Sequence, residues 1–82
     1  MKVMLYALST CAWCRRAKNF LDENDVEYDF VYVDLLEGEE KDQAIEIVRK
    51  WNPRRSFPTI VIDDAKSVAG FKPERLKEAL GL

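Results

Sequence analysis

Two residues in this 82-residue chain have the type and spacing to do chemistry. Cys11 and Cys14 are its two cysteines, separated by Ala12 and Trp13. On a helix, residues three apart lie about one turn from each other, so the two sulfurs can close a small disulfide ring. Ser9 and Thr10 offer an N-cap for a helix running from about 11 to 24. A thiolate at Cys11 would then lie among unpaired backbone N–H groups, where the positive end of the helix dipole favours ionised sulfur. Cys14, one turn deeper, is expected to be shielded and to keep its proton longer. Cys11 would attack a disulfide and Cys14 would resolve the mixed disulfide that results. Arg15 lies one turn along from Cys11, and Arg16 and Lys18 follow, which adds cations to the field around the attacking sulfur.

Other uses of the pair fit less well. Half of a zinc site needs two more soft or imidazole ligands, and the chain has no histidine and no third cysteine. Only a homodimer pooling four cysteines would complete a zinc or iron–sulfur centre. A structural disulfide across three residues closes too short a loop to constrain the unfolded chain much. The absence of histidine also excludes His-assisted Ser or Cys triads and His-ligated haem. Thirteen basic against fifteen acidic residues leave a net charge of −2, which argues against a nucleic-acid partner. No apolar run approaches a bilayer span, and no targeting segment is evident. A cytoplasmic protein with no metal or organic cofactor is expected, and two cysteines in a reducing compartment suit catalysis better than stapling.

The elements that must position the pair follow from periodicity. Met1 to Ala7 reads as a buried strand. In the first helix Cys14, Ala17 and Leu21 share a face, with Phe20 beside them. Glu27 to Asp34 alternates, which predicts a second strand partly covered on both faces. A second helix after Gly38 carries a stripe of Ala44, Ile47, Val48 and Trp51, and Asn52 and Pro53 stop it. Thr59 to Asp63 is a third strand. Asp63-Asp64 turns the chain into a short fourth strand near Ser67 to Ala69. After Gly70, Pro73 opens a terminal helix, with Phe71 and Leu76 spaced as a hydrophobic staple and Leu76, Ala79 and Leu80 as its buried stripe. The predicted fold class is α/β, one domain over 1–82, ordered β-α-β-α-β-β-α. Its sheet is mixed and four-stranded with helices on both faces: the first two strands parallel by a right-handed crossover, the last two antiparallel.

With its Cys-x-x-Cys placed after a first strand in this order, the chain resembles the glutaredoxin branch of the thioredoxin superfamily. The motifs that carry the resemblance are Thr10-Cys11-Ala12-Trp13-Cys14, Arg55-Ser56-Phe57-Pro58-Thr59 and Gly70-Phe71-Lys72-Pro73. The resemblance implies a thioredoxin-like fold and a thiol–disulfide oxidoreductase, with Pro58 as the family's cis-proline facing the cysteines. It also implies that the backbone of Phe57 is free to pair with an extended substrate. Gly70 and Phe71 are implied as further substrate contacts. Trp13, between the cysteines and off the buried parity, is a candidate substrate-facing aromatic.

Departures from the family pattern bear on the reductant. Ala12 and Trp13 stand where typical members have Pro-Tyr, and Leu8 stands where glutathione users carry a lysine. Arg54 and Arg55 remain as carboxylate partners, so glutathione stays a candidate co-substrate. Gly70-Phe71-Lys72-Pro73 looks instead like the NrdH-redoxins, glutaredoxin-like electron donors of ribonucleotide reductase served by a flavin-dependent reductase. The implied partners are a disulfide-containing protein substrate and an upstream disulfide reductase; the acidic, short-stranded design gives no reason for an obligate dimer, and a monomer is expected. Acidic residues dominate from Asp22 to Asp42, and basic ones fall in segments this fold brings toward the cysteines, a dipolar surface suited to an acidic partner.

Overall fold

The computed structural model describes residues 1–82. The chain runs β1 (Val3–Ala7), α1 (Ala12–Glu23), β2 (Asp29–Tyr32), a turn of 3-10 helix (Val33–Leu35), α2 (Gly38–Trp51), β3 (Thr59–Ile62), β4 (Lys66–Ala69) and α3 (Pro73–Leu80). The sheet order is β2-β1-β3-β4. β1 pairs parallel with β2, Leu5 opposite Phe30, and antiparallel with β3, Tyr6 opposite Thr59. β4 returns antiparallel beside β3, with Thr59 opposite Ala69. Asp63 and Asp64, both at positive φ, make the tight turn between them, and such primed turns match the right-handed twist of the strands.

Alternation along the strands divides the core in two. Val3, Leu5 and Ala7 of β1, with Ile60 and Ile62 of β3, face α1 and α3 and pack with Cys14, Ala17, Leu21, Leu76 and Leu80. Tyr6 and Val61 face the other way and pack with Val33 and with Ala44 and Val48 of α2. Helices thus cover both faces, and this is the mixed four-stranded thioredoxin-like arrangement expected from the sequence.

Four details differ from expectation. The second strand occupies only Asp29–Tyr32, because Val33 and Asp34 leave the ladder for the 3-10 turn. It is an edge strand, so Asp29 and Phe30 are exposed where the alternation predicts partial cover on both faces. In α2, Ile47 is exposed and Ile45 packs inward instead. The helix turns its face centred on Val48 to the sheet, and Ile47 sits one 100° step to the solvent side of it. Finally, the N-cap of α1 is Cys11 itself, not Ser9 or Thr10. Ser9 is engaged elsewhere.

Candidate active site

Cys11 is the last of the four residues that connect β1 to α1, and it holds extended backbone angles (φ −91°, ψ 118°). A cap must offer an acceptor to the orphan N–H groups of the first turn. Here the sulfur does so: Cys11 Sγ accepts the backbone N–H of Cys14 at 3.3 Å. The Cys11 carbonyl takes the N–H of Arg15 at 3.2 Å, and its own N–H donates to the Leu8 carbonyl at 3.2 Å. The sulfur therefore sits half-buried at a helix start, in contact with a backbone donor. Cys14 faces inward, 2% exposed, among Ala17, Leu21 and the β1 side chains. Burial pushes its thiol up to about 12, helped by its hydrogen bond to Cys11 and by repulsion from Cys11 and Asp34. Neither cysteine is bonded to the other.

The loop before Cys11 is clamped from outside. Asp34 accepts the Ser9 backbone N–H at 2.9 Å and also the Ser9 hydroxyl. These bonds hold the Asp34 carboxyl below the usual range. Across the site, the Phe57–Pro58 peptide bond is cis. The Pro58 carbonyl accepts the Gly70 N–H at 2.7 Å, and Gly70, at φ +79°, makes a turn that a side chain would strain. Pro58 is buried and Phe57 half-buried, packed against both core clusters.

The residues singled out from sequence fall into two groups, one around Trp13 and one around Phe57. Trp13 is 56% exposed. Its ring lies 6.5 Å from that of Phe71, which meets Phe20 edge-on at 6.0 Å. Leu8 and Phe57 line an open cleft of about 500 Å³, with Val33 and Val48 at its base and Arg54 and Arg55 beside it. Arg15 is exposed and takes part in no ion pair; Arg16 instead covers the Trp13 ring, its guanidinium 4.7 Å from the centroid. No group of three or more His, Cys, Asp or Glu side chains is placed to hold a metal ion, and no helix is long and apolar enough to cross a membrane.

Sequence reasoning passed over Asp34, Lys41 and Asn52. Asp34 and Lys41 join the arginines in the cleft. Asn52, read as a helix stop, is buried and hydrogen-bonded into the loop that carries Pro58. Its position four residues after Val48, on the stripe Ala44, Val48, was the available signal.

Known proteins resemble this chain in sequence and fold. Residues 3–66 match the family described as Glutaredoxin. The chain is 49% identical to a crystallised glutaredoxin from Methanosarcina mazei, covering 99% of this chain and 79% of that one with a TM-score of 0.96. For the methanoredoxin of Methanosarcina acetivorans the figures are 47%, 99%, 85% and 0.94. Escherichia coli NrdH-redoxin, at 22% identity, TM-score 0.76 and coverage of 95% and 93%, shares the fold. Among curated proteins, glutaredoxin 1 of Rickettsia felis is 34% identical over 62 residues, 76% of this chain and 58% of that protein.

Proposed function

This chain belongs to the glutaredoxin family and is a thiol–disulfide oxidoreductase, and from that premise we propose that Cys11 and Cys14 reduce protein disulfides as a dithiol pair. The observation that carries this reading is their asymmetry. The Cys11 sulfur is reachable and accepts a backbone N–H, while Cys14 is buried with its proton held tightly. Cys11 thiolate attacks one sulfur of the substrate disulfide, forming a Cys11–substrate bond and releasing the other sulfur as a thiolate. Cys14 then gives up its proton and attacks the Cys11 sulfur. The Cys11–Cys14 disulfide forms, and the second substrate thiol leaves with that proton. Two electrons pass to the substrate, and an upstream reductase restores the dithiol.

The second step has a physical rationale. Both the hydrogen bond from Cys14 to Cys11 and the repulsion between the two sulfurs raise the Cys14 thiol. Once Cys11 is in a mixed disulfide its negative charge is gone, and burial is the main barrier left to Cys14 ionisation. The resolving sulfur is thereby kept inert until there is something to resolve.

Trp13 and Phe71 form the aromatic platform for the substrate, and the Phe57 backbone pairs with its extended chain. Gly70 holds the adjoining turn and Pro58 the loop, while Arg15, Arg54 and Arg55 supply positive charge toward an acidic partner. Residues 1–82 act as one domain and as a monomer in a reducing compartment. The run Gly70-Phe71-Lys72-Pro73 supports ribonucleotide reductase as an acceptor, served by a flavin-dependent reductase. A second reading takes glutathione as co-substrate, favoured by Arg54 and Arg55 in the cleft beside Phe57.

A Cys14→Ser variant tests the dithiol scheme. Mixed with a protein disulfide it should accumulate a stoichiometric adduct at Cys11, seen by intact mass, where the unsubstituted protein yields an internal disulfide. An adduct at neither cysteine would sink the scheme. Turnover of a glutathione mixed disulfide that survives this substitution would favour the second reading.

A further inference from the structure

We propose that Asn52 is a positioning residue for the reaction: through Ser56 and Thr59 it fixes the loop that presents Phe57 to the cleft it shares with Leu8. The inference rests on the substrate-binding role given above to Phe57.

A helix that meets Pro53 needs no particular residue to end it. Asn52 is nevertheless 4% exposed, and with Thr59 it makes up the buried polar pair of the core. Its Nδ2 donates to the Ser56 carbonyl at 3.0 Å, the Ser56 hydroxyl at 2.9 Å and Thr59 Oγ1 at 3.2 Å. Thr59 donates in turn to the Ser56 carbonyl at 2.8 Å. The Asn52 carbonyl takes the Arg55 N–H at 2.8 Å. One side chain therefore grips the chain immediately before and immediately after Phe57-Pro58.

The chemistry of the grip is specific to an amide. Its three acceptors are oxygens, and its two N–H hydrogens serve them with one bond shared. A carboxylate at the same place would set an oxygen against the Ser56 carbonyl, which only a donor can satisfy. An apolar residue would leave Thr59, fully buried, with an unanswered acceptor, and buried polar groups without partners are costly. Phe57 shares the cleft with Leu8, three residues before Cys11, so a shift of this loop changes what a substrate meets beside the sulfur. The sulfur's own hydrogen bond, to the Cys14 N–H at the start of α1, involves none of these loop residues.

That separation gives the test. Single-turnover oxidation of the reduced protein by insulin, as a soluble protein disulfide, is followed for Asn52→Ala, Thr59→Val and Thr59→Ser. Alkylation of Cys11 by iodoacetamide and thermal unfolding are recorded for each. The half-saturating insulin concentration should rise about tenfold in Thr59→Val and Asn52→Ala, with the limiting rate and the alkylation rate each within about twofold of the starting protein. Thr59→Ser, which keeps the hydroxyl, should restore binding. Unchanged saturation in folded variants overturns the proposal, as does a parallel fall in alkylation, since that marks general disturbance of the site. Should Asn52→Ala not fold, the volume-preserving Thr59→Val reads the same network. If the unsubstituted, folded protein is not oxidised by insulin, the protein-disulfide reading fails and this inference falls with it.

Discussion

Ser9 donates both its backbone N–H and its hydroxyl to the carboxylate of Asp34, 25 residues further along the chain. The bond joins the loop that delivers Cys11 to the turn that follows β2. It also engages the Ser9 hydroxyl away from α1, whose N-cap is Cys11.

Because these bonds hold the folded Asp34 below its unfolded value, near 3.9, the stability they confer is fully present above that pH. It is lost as pH falls through the folded value. Thermal midpoints of the protein and of Asp34→Asn should therefore differ at neutral pH and converge on acidification. A gap of constant size down to the lowest pH at which both remain folded would show that Asp34 contributes by packing alone.

Cys14 carries the opposite sign. Its folded thiol is pushed up to about 12, while an unfolded cysteine ionises near 8.5. Above the unfolded value the unfolded chain sheds a proton that the folded one keeps, so stability falls by up to about 1.4 kcal/mol per pH unit. Urea titrations under reducing conditions should show a steeper alkaline loss for the protein than for Cys14→Ser. Tyr6 and Tyr28, also raised by burial, contribute to both curves and cancel in the difference.

Trp13 is exposed and touches the Phe71 ring and Arg16. Trp13→Ala should raise the KM for a protein disulfide several-fold, roughly the 1 kcal/mol of a contact aromatic. Its thermal midpoint should hardly move. A change in kcat with KM intact would place Trp13 in the chemical step instead of the docking surface.

Leu76 has no exposed surface and ties α3 to the sheet face that also holds Cys14. Leu76→Ala should cost about 2–5 kcal/mol in denaturant unfolding. Loss of less than about 1 kcal/mol would mean that α3 recloses over the cavity.

The parts of this fold legible in the sequence are those governed by local rules. Cys14, Ala17 and Leu21 repeat at helical spacing and are buried together. Ile60 to Ile62 is continuously apolar and, with Thr59 before it, is buried at every position. Asp63-Asp64 is the turn it was read as. What sequence could not supply depends on neighbours distant in the chain. The β2 alternation promises cover that an edge strand lacks. Ile47 has the same hydrophobicity as Ile45, and only the roll of α2 against the sheet separates them. Asn52 reads as a helix stop because its partners, Ser56 in the following loop and Thr59 at the start of β3, are brought to it only by the tertiary fold. Of the site, the two cysteines were legible as chemistry, but the Ser9–Asp34 clamp spans two elements and left no local trace.

Tyr6, Thr59 and Ala69 lie in one row across β1, β3 and β4. Beyond that row, on the same side of the sheet, the chain continues to Cys11, comes from Pro58 and runs on to Gly70. Three stretches remote in sequence thus end up as neighbours only after all three strands have registered. A peptide carrying β1 and α1 would hold both cysteines and remain an ordinary dithiol, open to any oxidant. Selectivity for a substrate is a tertiary property here, acquired in the same cooperative event as the fold, and a strand slip of one residue would erase it without touching either sulfur.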